Sequence, residues 1–96
     1  MISNLASYVL DKIVIDIGAG NGVLSFASYY LGAKAVLGLE IDQDSLKHAK
    51  KNKALNGIDN SKVQFSETLP ENRPKLNEAT ILMNMTYFEK LEGFKT

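Results

Sequence analysis

The chain has 96 residues, 45% of them hydrophobic, and its 11 basic and 11 acidic side chains cancel, so it is limited to one small domain and net charge does not favour a nucleic-acid partner. The sequence has no cysteine, which excludes disulfides, thiolate metal sites and a cysteine nucleophile. No apolar run reaches the ~18–20 residues of a membrane span, and the N-terminus lacks the basic lead of a signal peptide, so we expect no membrane segment. The lack of cysteine fits a reducing cytoplasm, so we expect a cytoplasmic protein, and we predict no metal site.

The predicted secondary structure alternates between helix and strand. In chain order we predict a helix over 2–10, a strand over Ile13–Ile17, a helix over 23–31, a strand over Ala35–Leu39, a helix that ends at Asn56-Gly57, a strand over 62–65, a polar loop over 70–77, a strand over 79–85 and a short helix over 87–94. Asp42 or Asp44 is expected to cap the third helix, whose apolar side carries Leu46, Ala49 and Leu55. Such alternation is typical of an α/β fold with a parallel sheet.

Three glycines at alternate positions follow the first strand directly: Gly18, Gly20 and Gly22. Glycine adopts backbone angles that other residues resist, and it lets a ligand lie against the main chain. Because parallel sheets bind ligands at the carboxyl ends of their strands, this turn is the predicted binding site.

Glu40 closes the second strand 22 positions after Gly18, near the ~20-residue offset at which nucleotide-binding folds place a ribose-binding acid. A carboxylate accepts hydrogen bonds from two neighbouring ribose hydroxyls. The glycine turn and Glu40 together therefore predict a ligand that contains a ribose.

Two features of the turn favour S-adenosylmethionine over a dinucleotide. The glycine spacing is G-x-G-x-G rather than the dinucleotide pattern G-x-G-x-x-G, with Val23 at the last position. The carboxylate of Asp16 is unfavourable beside a pyrophosphate, whereas it suits a ligand with a positive amino group. A nicotinamide-dependent oxidoreductase stays as a distant alternative.

Two segments carry a resemblance to a known superfamily. Asp16-Ile17-Gly18-Ala19-Gly20-Asn21-Gly22 resembles the D-x-G-x-G-x-G motif of the Rossmann-like (class I) S-adenosylmethionine-dependent methyltransferases, and Gly38-Leu39-Glu40-Ile41-Asp42 resembles the segment that ends their second strand. Residues 13–58 are similar to the small RNA and ribosomal-protein methylases of that superfamily. The resemblance implies a truncated Rossmann-like methyltransferase sheet of order 3-2-1-4, flanked by helices, with residues 1–96 as one incomplete S-adenosylmethionine-binding domain.

The resemblance also implies roles for individual residues. The cofactor's methionine end is expected against Gly18, Ala19, Gly20 and Gly22. Asp16 would hold its amino group, Glu40 its ribose hydroxyls, Ile41 would pack on the adenine and Glu67 would face the adenine amino group. Asn84, at the end of the fourth strand, matches the asparagine that positions a target amino group and is the predicted catalytic residue.

The residues leave the methyl acceptor open between RNA and a ribosomal or translation protein. The chain is short for the superfamily, so the predicted fourth strand would form an exposed apolar edge, through which a homodimer or a partner chain could pair. A non-catalytic methyltransferase-like binding subunit is therefore the main alternative to an enzyme.

Overall fold

The computed structural model describes residues 2–69 and 79–83. Helices and strands alternate along them in the order α1 (Ile2–Val9), β1 (Ile13–Ile17), α2 (Val23–Tyr30), β2 (Ala35–Leu39), α3 (Gln43–Leu55), β3 (Val63–Ser66) and β4 (Ala79–Met83). The predicted loop 70–77, the predicted helix 87–94 and positions 84–85 of the predicted fourth strand lie outside the described residues. None of the helices in the described part of the chain is long and apolar enough to cross a membrane.

The four strands form one parallel sheet in the order β3-β2-β1-β4, as predicted. β1 lies between β2 and β4, and its three central residues are buried. Four of its five residues are β-branched, which suits a central strand that is covered on both faces. The register sets Asp16 of β1 beside Gly38 of β2, and Gly38 beside Phe65 of β3. These three positions form a row across the sheet near its carboxyl edge.

The main hydrophobic cluster lies on one face of the sheet, and Ile15 and Leu37 are buried on the opposite face. Val14, Val36 and Val63 are in register and buried on that face, where they join Val9 of α1 and the apolar side of α3 in one cluster. Because the crossovers from β1 to β2 and from β2 to β3 advance in the same direction and are right-handed, their helices pack on the same face. All three described helices contact this cluster, α2 through Phe26 and Tyr29.

The predicted N-terminal cap of α3 is confirmed, whereas the predicted position of one of its leucines is not. Asp42 is the cap: its side-chain Oδ2 accepts hydrogen bonds from the backbone N–H of Ser45 at 3.0 Å and from Ser45 Oγ at 2.6 Å. The prediction that Leu55 packs with Leu46 was wrong, because Leu55 is 73% exposed. Nine residues separate these leucines, which is about two and a half helical turns, so they lie on opposite sides of the helix.

Candidate functional site

A tight glycine turn joins β1 to α2. Its glycines, Gly18, Gly20 and Gly22, have φ angles of 77°, 59° and 94°, in the left-handed region that favours glycine. The backbone N–H of Gly22 donates to the Ala19 carbonyl at 2.9 Å and closes the turn, and the Gly22 carbonyl accepts from Phe26 N at 2.8 Å, which starts α2. The sequence pattern thus produces a sharp bend at the carboxyl end of the central strand.

Successive amides of the turn donate to the end of β2. Gly18 N and Ala19 N donate to the Leu39 carbonyl at 2.8 and 2.9 Å, and Gly20 N donates to Glu40 Oε1 at 2.6 Å. Phosphate-binding turns direct such amides at the ligand. Here three of them are satisfied within the protein, which favours a ligand without a phosphate.

Glu40 links the glycine turn to the start of α3. Its side chain is only 3% exposed, and Oε2 accepts from the backbone N–H of Asp42 at 2.8 Å while Oε1 accepts from Gly20. A carboxylate has about four lone-pair sites, so these two bonds leave about two for hydroxyl donors. The structure therefore places Glu40 beside the turn, held in one orientation by two backbone amides.

Gly20 borders open space, whereas Gly22 and Gly38 border an aromatic ring. A Cβ at Gly20 would meet no heavy atom within 4 Å, but at Gly22 it would lie 2.8 Å from the rings of Phe26 and Phe65, and at Gly38 it would lie 2.5 Å from Phe65. The two rings pack edge to face, with centroids 5.5 Å apart. Gly22 and Gly38 thus make room for the ring of Phe65, which was not among the predicted site residues. Gly20 leaves room beside the turn.

Asp16 is a buried acid in contact with α2. It is 1% exposed, and Ser25 Oγ donates to its Oδ2 at 2.6 Å. Burial raises the pKa of Asp16, the hydroxyl of Ser25 lowers it, and the nearby charge of Glu40 raises it. Ser25 was not predicted; its signal is a serine on a helix whose neighbouring residues are mostly apolar.

Two of the remaining predicted residues follow the carboxyl ends of β2 and β3, and the third lies outside residues 2–69 and 79–83. Ile41 is half-buried between β2 and α3, and Glu67 is exposed directly after β3, where Oε1 accepts a hydrogen bond from Gln43 Nε2 of α3. Gln43 was not among the predicted site residues. Asn84, the predicted catalytic residue, lies outside the described residues.

Other candidate sites do not coincide with this one. Among residues 2–69 and 79–83, no three His, Cys, Asp or Glu side chains are grouped so that they could hold a metal ion. A crevice of about 320 Å³ on α3 includes none of the predicted cofactor residues; it is lined by Gln43, Asp44, Leu46, Lys47 and Lys50.

Comparison with known proteins identifies the family. The model of the ribosomal protein L11 methyltransferase (PrmA) family matches residues 2–86. The chain belongs to this family.

Individual ribosomal protein L11 methyltransferases are similar to part of the chain. That of Shewanella sediminis is 41% identical over 73 residues, which cover 76% of this chain and 24% of that protein. That of Thermoanaerobacter pseudethanolicus is 45% identical over 65 residues, which cover 68% of this chain and 21% of that protein. The chain therefore spans about a quarter of the length of the curated family members that it matches.

Solved structures agree with the family and the fold. The ribosomal protein L11 methylase of Lactobacillus delbrueckii subsp. bulgaricus is 36% identical, with a TM-score of 0.55 over 70% of this chain and 37% of that one. A Methanococcus maripaludis protein assigned as an S-adenosyl-L-methionine-dependent methyltransferase is 25% identical, with a TM-score of 0.71 over 91% of this chain and 41% of that one. The predicted Rossmann-like methyltransferase fold and superfamily are thus confirmed.

Proposed function

We propose that residues 1–96 are the cofactor-binding part of an S-adenosylmethionine-dependent methyltransferase that acts on a ribosomal protein. The observation that carries the proposal is the contact of 2.6 Å between Gly20 N and Glu40 Oε1, beside the open space at Gly20. A glycine turn with open space beside Gly20 and a carboxylate held in one orientation suit an adenosyl ligand without phosphates. Membership of the L11 methyltransferase family supports the reaction.

Each site residue contacts one part of the ligand in this proposal. Glu40 accepts hydrogen bonds from the ribose hydroxyls through its free lone pairs, and Asp16 attracts the positive amino group. The methionine end lies along the turn, whose residues are Gly18, Ala19, Gly20 and Gly22. Ile41 packs on the adenine, and Glu67 accepts from the adenine amino group at the rim.

The bound cofactor supplies a methyl group on a sulfonium, which leaves as a neutral thioether when an acceptor attacks in line. Such a reaction depends mainly on the relative position of donor and acceptor. The chain's contribution is therefore to hold the donor, with Asp16 and Glu40 placing negative charge near a cationic ligand. Asn84 is our proposed contact to the acceptor.

Cofactor binding is tested by isothermal calorimetry of the 96-residue chain with S-adenosylhomocysteine, and with reduced nicotinamide dinucleotide as the competing ligand. We expect saturable heat with the first and none with the second. Folded protein that gives no heat at millimolar S-adenosylhomocysteine refutes the proposal. Binding of the dinucleotide instead would establish the oxidoreductase alternative.

The acceptor is tested separately, with tritiated S-adenosylmethionine. The names of the similar proteins point to ribosomal protein L11, so we expect label on that protein and none on ribosomal RNA. Label on RNA alone would overturn the choice of acceptor but not the cofactor. A chain that binds the cofactor and labels neither substrate would be a non-catalytic binding subunit.

We also propose a cytoplasmic location and pairing of another polypeptide segment along β4. Among the strands of residues 2–69 and 79–83, β4 lies at an edge of the sheet, and its Ile81 is 46% exposed, which supports such pairing. Light scattering with the Ile81→Lys variant checks it: pairing through this edge predicts a dimer or a complex that the variant loses.

A further inference from the structure

A hydrogen bond joins the buried Asp16 of β1 to the first turn of α2. Gly22 is the N-cap of α2 and has no side chain with which to cap it. The Asp16 carboxylate, from β1, accepts a hydrogen bond from Ser25 Oγ in the first turn of α2 at 2.6 Å. One serine hydroxyl therefore holds this buried carboxylate.

Burial and the negative charge of Glu40 both oppose the ionisation of Asp16. β2 places Gly38 beside Asp16 and Glu40 close to it, β4 places Leu82 beside it, and α2 brings Ser25. Glu40 is the titratable group that acts on Asp16 among the described residues, and no described cation offsets it. An ionised Asp16 in this position depends on hydrogen-bond donors, because burial and a like charge both favour the protonated acid.

We propose that Ser25 is a positioning residue: its hydroxyl fixes Asp16 in the charged form and orientation that recognise the ammonium group of the amino-acid end of the ligand. This inference rests on the proposed function. It separates recognition of the amino-acid end, which depends on Asp16 and Ser25, from recognition of the adenosine, which depends on Glu40.

A second serine provides a matched control. Ser25 and Ser28 are both 0% exposed and both lie on α2, but Ser28 Oγ donates to the Leu24 carbonyl within the helix. Ser25→Ala and Ser28→Ala therefore remove the same group from the same environment. Only the first removes a hydrogen bond to Asp16.

The test compares two ligands by calorimetry at pH 7 on the 96-residue chain. S-adenosylhomocysteine carries the ammonium group, and 5′-methylthioadenosine has the same adenosine and sulfur without the amino-acid end. We expect Ser25→Ala to weaken the first about tenfold, the effect of one hydrogen bond to a charged group, and to leave the second unchanged. Ser28→Ala should leave both unchanged, and Ser25→Thr, which keeps a hydroxyl, should retain the wild-type preference.

The pH profile adds a measurement that a purely structural role would not change. Between pH 5 and 7 the ammonium stays protonated, so any rise in affinity for S-adenosylhomocysteine reports deprotonation in the protein. Without the hydroxyl, Asp16 should hold its proton to higher pH, so the Ser25→Ala profile should shift upward. In an Asp16→Asn background, Ser25→Ala should have no further effect on either ligand.

Two results overturn the inference, and they differ. If the wild-type chain binds neither ligand, the proposed function fails and the role of Ser25 fails with it. If the wild-type chain binds S-adenosylhomocysteine but Ser25→Ala behaves like Ser28→Ala, or weakens both ligands equally, the role of Ser25 alone is refuted.

Discussion

Gly20 and Glu40 are 20 positions apart in the chain, yet the backbone N–H of Gly20 donates to Glu40 Oε1 at 2.6 Å. The other oxygen of the same carboxylate accepts from Asp42 N. The turn after β1 and the loop after β2 are thus held together before any ligand arrives. A site ordered in advance loses less conformational entropy on binding.

Glu40→Gln should therefore impair both stability and binding. A glutamine has one oxygen where two backbone donors need acceptors, so either Gly20 N or Asp42 N would face an amide NH₂. We expect a loss of about 1–3 kcal/mol in the free energy of unfolding. Urea denaturation measures it, and Asp44→Asn, which removes an exposed charge from the first turn of α3, is the control. Equal stability of the two variants would contradict the bridging role.

Gly20→Ala and Gly57→Ala should separate backbone strain from ligand contact. The two glycines have φ of 59° and 63°, and a Cβ at either would meet nothing within 4 Å. Both variants should lose about 1–2 kcal/mol of stability, because alanine resists the left-handed region. Only Gly20→Ala should also lose affinity for S-adenosylhomocysteine, since its methyl group enters the proposed ligand space. Calorimetry that shows equal affinity for both variants would place the ligand elsewhere.

The order of the elements was predictable because each has a local signal. A β-branched run marks β1, and Asp42 marks the start of α3. Strand bounds shifted by a residue or so, as with β3, where the prediction of 62–65 became Val63–Ser66. Leu55 was assigned wrongly to the apolar side of α3, because nine positions from Leu46 place it on the opposite side of the helix.

The contacts that complete the site were not predictable from local patterns. Ser25 and Asp16 are nine positions apart on different elements, and only the packing of α2 on β1 brings them together. Phe65 lies beside Gly38 through the register of two strands, which the sequence does not specify. The glycines of the turn signal where a ligand binds, but only the structure separates Gly20, which borders open space, from Gly22, which accommodates a ring.

Gly38→Ala should destabilise the chain by overpacking. Its Cβ would lie 2.5 Å from the Phe65 ring and 3.1 Å from Ala19 Cβ, so the ring must move. We expect a loss of about 1–3 kcal/mol in the free energy of unfolding. In Phe65→Leu, whose branched side chain can rotate away, the same substitution should cost less. A double-mutant cycle by urea denaturation measures this coupling, and strictly additive losses would show that the ring is not what Gly38 accommodates.

Asp16→Asn should change how stability depends on pH. Burial raises the folded-state pKa of Asp16 above its usual value of 3.8, although Ser25 lowers it and Glu40 raises it further. The native wild-type chain then binds a proton more tightly than the unfolded chain does. Its stability therefore falls as pH rises from about 4 through the raised pKa, and this loss is absent from the asparagine variant. Urea denaturation from pH 4 to 8 measures the unfolding free energy of both proteins. As pH increases, Asp16→Asn should become more stable relative to the wild-type chain, and this difference should then level off.

The same comparison in a Ser25→Ala background should level off at a higher pH. One donor to the Asp16 carboxylate is then gone, so the folded chain holds the proton to a higher pH. A difference that stays constant across the range would mean that Asp16 titrates alike in the folded and unfolded chains, and that its burial is without electrostatic consequence.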